Sequence, residues 1–218
     1  MAIATYAEKY RSWRYGAFKW CHELSTAQKI ALALGMACVT GLFAQIRIPL
    51  GFTPVPITGQ VFAVLLSGVL LGSGFGAMSQ MMYIAFGACG VPWFQGWNGG
   101  FAYLAQVPTV GYLVGFVLAA LLIGRLTERY VGARGFWPQL GLMLIGVAVI
   151  HLAGAVYFAA VMHTGPLTTM QLAVVPFIYL DIVKAAAVAS IATALLPKSS
   201  YNGEVDKARY PSDRGLKV

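Results

Sequence analysis

Charge is the scarcest ingredient of this chain. Only 10% of its 218 residues are Asp, Glu, Lys or Arg, whereas 59% are hydrophobic and the mean hydropathy is +0.72. An average soluble domain carries about 25% charged residues, so this composition excludes water as the main solvent of the fold. Motifs of nucleotide and hydrolytic chemistry are missing as well. No G-x-x-x-x-G-K-[ST] run occurs, which excludes ATP binding in the P-loop manner. No G-x-S-x-G, H-E-x-x-H or C-x-x-C is present either. Cys21, Cys38 and Cys89 stand apart and read as reduced thiols. His151 lies inside an apolar run, with no second His or carboxylate at metal spacing, and reads as a packing residue. Neither a metal nor a cofactor is expected.

What remains is a series of apolar runs filling the length of the chain, the pattern of a polytopic membrane protein with one bundle. The most informative run is Gln171–Pro197, centred on PFIYLDIVKAAAVAS. Asp181 and Lys184 stand there three residues apart, on one face of a helix. A charge at mid-membrane costs about 2.5–3.5 kcal/mol on insertion scales, so such residues face a cavity or a partner. The pair is the first candidate for a ligand site. The competing reading is an internal ion pair that only lets the helix insert.

In chain order, residues 1–24 are too charged to cross a bilayer. Tyr6, Tyr10, Trp13, Ala17, Trp20 and Leu24 recur at steps of three and four, amid Lys9, Arg11, Arg14 and Lys19. This suits a helix lying in the cytoplasmic membrane interface, with a basic tail as the alternative. The first membrane helix is expected over Ser25–Ile46, with Ser25 as N-cap. It carries two rows of small residues, Ala31 with Gly35 and Ala33 with Ala37, suited to close helix contact. The connector 46–58 holds three prolines and cannot be a continuous helix. Two short helices, Gly59–Leu71 and Phe75–Cys89, follow around GSG, with Thr58, Gln60, Ser79 and Gln80 at their ends and turns.

Residues 90–108 are uncharged and rich in Gly and aromatics, and they include the amide Asn98. They read as a pocket lid or an interfacial aromatic belt. Helices are expected over Val110–Leu126, Gln139–Met162 and Gln171–Pro197, followed by a polar tail over 198–218. Six helices with both termini in the cytoplasm place the basic residues of the N-terminal segment, the 125–134 loop and the tail on the inner side. Only Arg47 falls outside and Lys184 within the membrane. The net charge of +8 is thereby explained by topology, without nucleic acid.

Several runs, in order, carry a family resemblance. IRIPLGFTPVPITGQVFAVLLSGVLLGSGFGAMSQMMYIAFGACGVP, GGFAYL, P-T-x-G-Y-L-x-G-F (Pro108–Phe116) and D-I-V-K resemble the BioY family, the biotin-specific S components of energy-coupling factor (ECF) transporters. The resemblance covers nearly all of the hydrophobic chain. It departs at Ala105–Gln106–Val107 and at Trp97. It implies an all-α, six-helix membrane bundle over 25–197 in a bacterial cytoplasmic membrane. Such a bundle binds biotin from outside and is driven by a transmembrane T component and two ABC-type ATPases. It implies biotin contacts at Asn98, Tyr103, Asp181 and Lys184, more weakly at Thr58, with Trp93, Phe94 and Trp97 as walls. It also implies docking on the T component through Ala33 and Ala37, with Ala31 and Gly35 as the competing row. The alternatives are a carrier for another vitamin, an ion-coupled transporter acting alone, and a membrane-embedded enzyme using Asp181.

Overall fold

The computed structural model describes residues 2–197; the expected polar tail over 198–218 lies outside the described residues. Helix α1 spans Ala2–Glu23 and α2 spans Thr26–Gln45. Ser25 caps α2 in a capping box: its Oγ accepts from Gln28 N, and Gln28 Oε1 accepts from Ser25 N. The Pro-rich connector forms a two-residue antiparallel ladder, β1 (Arg47–Ile48) with β2 (Ile57–Thr58), which pairs Arg47 with Thr58. There follow α3 (Gln60–Ala88), α4 (Phe101–Gln106) and α5 (Val110–Arg129). A 3-10 turn (Val131–Arg134) leads to α6 (Phe136–Met162), α7 (Pro166–Ala173) and α8 (Val175–Leu195). The described residues are mostly helical, and five helices (α2, α3, α5, α6 and α8) are long and apolar enough to cross a membrane.

Helix α3 is two arms joined at Gly72, whose φ of 75° lies in the left-handed region that glycine tolerates. The arms fold back on each other, since Gln60 near the start donates to the Tyr83 hydroxyl at 2.9 Å. At 1.5 Å per residue the arms are about 18 and about 24 Å long, each short of about 30 Å of hydrocarbon. The expected pair of short helices is present, and its hinge is one residue rather than a GSG loop. Helix α5 crosses the hinge at Gly124, where an added Cβ would stand 2.4 Å from Ser73 N.

A buried amide network closes this region. Gln80 Nε2 lies within 3.0–3.3 Å of the hydroxyls of Thr40, Ser67 and Ser79, each of which donates to a backbone carbonyl of its own helix. It ties α2 to both arms and satisfies the polar groups that lipid would leave unpaired. Ser79 and Gln80 thus belong to the packed interior, not to a helix end.

Two further corrections concern helix faces and breaks. Ala33 and Ala37 are fully buried within the chain, whereas Ala31 and Gly35 lie on the exposed face of α2. The row favoured as a docking surface is therefore internal packing. Gln171–Pro197 is not one helix: α7 ends at Ala173, Val174 is non-helical, and α8 begins one residue before Pro176. Pro176 has no N–H to donate to the Leu172 carbonyl four residues back, and its ring would clash with that carbonyl, so one continuous helix cannot run through it.

Candidate functional site

Aromatic side chains from four segments wall a cavity of about 660 Å³: Tyr83 of α3, Phe94 and Tyr103 of the loop and α4, Tyr112 and Phe116 of α5, and Phe177 of α8. The polar lining comes from Thr58, Gln60, Gln95, Thr109, His151, Asp181 and Lys184.

Asp181 organises the polar side. It is 2% exposed, and its two oxygens have different partners. Oδ1 accepts from Lys184 Nζ at 2.7 Å, the i,i+3 pairing expected from the sequence. Oδ2 lies 2.8 Å from His151 Nε2 on α6. Lys184 Nζ also donates to the Thr58 carbonyl at 2.6 Å, so the β ladder holds the ammonium as well. An ammonium has three donors, and one remains for a ligand. Each carboxylate oxygen likewise keeps a lone pair beyond its protein contact. The cluster can offer acceptor and donor side by side within an apolar wall.

The aromatic wall is itself pinned. Gln60 holds the Tyr83 hydroxyl, and the Tyr112 hydroxyl donates to the Ala173 carbonyl at the end of α7. The Phe94 and Tyr103 rings stack with centroids 5.9 Å apart. Gln45, at the end of α2, fastens the loop before α4. Its Nε2 lies within 3.2 Å of the Trp93 and Phe94 carbonyls, and its Oε1 accepts from Trp97 N.

Of the residues singled out from sequence, Thr58, Tyr103, Asp181 and Lys184 converge on this one cavity, as does the wall residue Phe94. Asn98, Trp93 and Trp97 do not line it. The Asn98 amide donates to Gln95 O and Gly96 O and so braces the turn of its own loop. Trp93 packs behind Tyr83, with its indole N–H on the Tyr83 carbonyl. Trp97 is 63% exposed, at a left-handed φ of 61°. Loop 90–100 therefore reaches the cavity through Phe94 and Gln95.

His151 is the chief residue that sequence reasoning missed; it lines the cavity and pairs with Asp181, thirty positions away. Tyr112 and Phe116 were visible inside P-T-x-G-Y-L-x-G-F but unassigned, Gln60 was noted only as a polar residue at a helix end, and Tyr83 and Phe177 carried no local signal.

A bundle of apolar helices around an aromatic-walled pocket with a buried ion pair defines a multi-pass membrane protein of the solute-binding kind. Comparison with known proteins makes this specific. The BioY family model matches residues 17–200, and the chain belongs to the BioY family, a family of transporters. A probable biotin transporter BioY of Methanothermobacter thermautotrophicus is 40% identical over 148 residues, covering 65% of this chain and 94% of the relative. The biotin transporter BioY of Rhizobium etli is 35% identical over 179 residues, covering 79% and 95%. Among solved structures, the S component for biotin from an ECF-type ABC transporter superposes with a TM-score of 0.71 at 26% identity, covering 79% of this chain and 94% of that one.

Proposed function

We propose that this chain is the biotin-binding S component of an ECF-type transporter, seated in the cytoplasmic membrane with both termini inside. The observation that carries the reading is the Asp181–Lys184 pair set in an aromatic-walled cavity. A cyclic urea presents N–H donors beside a C=O acceptor, and a carboxylate with an ammonium 2.7 Å away is their complement. Tyr83, Phe94, Tyr103, Tyr112, Phe116 and Phe177 supply apolar surface for a fused bicycle.

With the two arms of α3 counted separately, the membrane domain has six helices. The ligand enters from the side of loop 90–100, opposite the basic 125–134 segment. Biotin is moved unchanged, and the chain uses no cofactor of its own. A T component and ABC-type ATPases supply the energy, and the exposed Ala31–Gly35 row of α2 is the small-residue surface open to a transmembrane partner. Helix α1 lies at the inner interface. Arg14 Nη2 and the Tyr10 hydroxyl donate to the Thr193 and Ala194 carbonyls at the end of α8, while Tyr6, Trp13 and Trp20 stay exposed for headgroup contact.

Calorimetric titration of the detergent-purified protein with biotin, against thiamine and riboflavin, tests the reading. Tight, selective, stoichiometric binding of biotin is expected. No heat of binding from a folded, monodisperse sample would overturn it.

A further inference from the structure

A carboxylate held by one partner can still turn. Torsion about the last bond of an aspartate is broad, and a lysine on the same helix, with its long flexible stem, restrains it weakly. Asp181 has a second restraint from another helix. His151 Nε2 meets Oδ2 at 2.8 Å, while Lys184 meets Oδ1 at 2.7 Å. The imidazole is held in turn, stacked on Phe177 with centroids 6.1 Å apart and meeting Tyr112 edge-on at 6.1 Å.

The other ring nitrogen shows what this contact is for. His151 Nδ1 is buried and has no hydrogen-bond partner. A buried polar atom left unpaired has lost its water and gained nothing for it, so a ring kept only for packing would be better without it. A phenyl ring would fill the slot between Phe177 and Tyr112 with no orphan atom. What the imidazole gains over it is the hydrogen bond to Asp181. An ionised carboxylate only accepts, so Nε2 carries the hydrogen of this contact.

We propose that His151 is the positioning residue of the ligand site. By clamping Oδ2 from α6, it fixes the carboxylate plane so that the free lone pairs of Asp181 face a ligand N–H. The site's preference for an unsubstituted cyclic urea therefore depends on α6 as much as on α8. This inference rests on the biotin reading above.

The test is titration of wild type, His151→Phe and His151→Gln with biotin and with the two mono-N-methyl biotins, each lacking one urea N–H. Wild type prefers biotin to the methyl derivative whose missing N–H meets Asp181. His151→Phe weakens biotin by about tenfold to hundredfold, the loss of one hydrogen bond to a charged group, and leaves that methyl derivative nearly unaffected. His151→Gln, whose amide N–H can reach Oδ2, restores biotin affinity to within about threefold of wild type and restores the preference. His151→Asn, too short to reach Oδ2, behaves as His151→Phe and replaces it should the latter not fold. A folded His151→Phe or His151→Asn variant that keeps full affinity and preference overturns the proposal. So does failure of His151→Gln to rescue. Failure of wild type to bind biotin overturns the parent reading, and this one with it.

Discussion

Replacing Asp181 by Asn exchanges one oxygen for an NH2 group and removes the negative charge that Lys184 and His151 both face. The side chains of Asp181 and Lys184 are 3% and 17% exposed, so the ammonium loses its counter-charge and keeps only neutral acceptors, the Thr58 carbonyl and the remaining amide oxygen, with a narrow path to solvent. Removing one member of a buried pair costs about 3–5 kcal/mol, and the partial exposure of Lys184 places this case near about 3 kcal/mol. Binding loses a charged acceptor, about 1.5–3 kcal/mol, or about tenfold to 150-fold in Kd.

The two effects separate in the double variant Asp181→Asn/Lys184→Met. An apolar stem of similar length removes the orphaned charge, so thermal stability recovers most of its loss, while affinity for biotin does not recover. Thermal unfolding followed by tryptophan fluorescence reads the first quantity, and calorimetric titration reads the second. Unchanged biotin affinity in both Asp181→Asn and Lys184→Ala would refute the reasoning. The pair would then serve only to bring α8 into the membrane.

Other perturbations test other parts of the structure. Gly124→Ala places a Cβ 2.4 Å from Ser73 N, a backbone atom that cannot rotate away, and should lower the melting temperature by an overpacking penalty of about 1–3 kcal/mol. Gln45→Leu removes the amide that holds the Trp93 and Phe94 carbonyls and Trp97 N–H, and should raise amide hydrogen exchange across residues 93–98 while weakening biotin severalfold. Leu at Ala31 or Gly35 should abolish uptake into cells and leave biotin binding intact, whereas Leu at the buried Ala33 or Ala37 should lower the melting temperature. Burial pushes the Cys21 thiol above the usual thiol range, against a smaller opposing pull from Lys29. Its thiolate therefore appears only at higher pH, alkylation should lag a free thiol at pH 8, and Lys29→Gln should move the profile further up.

How far the sequence could be read depended on where each residue finds its partner. Long apolar runs announce spanning helices because hydrophobic length is a property of the run itself, and most expected bounds fall within a few residues of the observed ones. Asp181 and Lys184 were legible for the same reason. Their expense in lipid is local, and their pairing lies within one turn of one helix. His151 was not, because its partner stands on another helix, and only the packing of α6 on α8 makes a lone histidine part of a charged cluster. Gln80 and Gln45 were hidden likewise, one satisfied across three helical segments and the other by a loop about fifty residues away. The small rows of α2 show the same limit. Ala and Gly at four-residue steps state that something comes close, but Ala33–Ala37 and Ala31–Gly35 are equivalent until the turn of α2 against α3 buries one and exposes the other. Asn98 is the converse: an amide in a glycine-rich loop has the right chemistry for a ligand, yet its own backbone carbonyls are nearer. In a membrane protein a buried polar group left unpaired is costly, so composition shows that most such groups have a partner and tertiary structure alone shows which one.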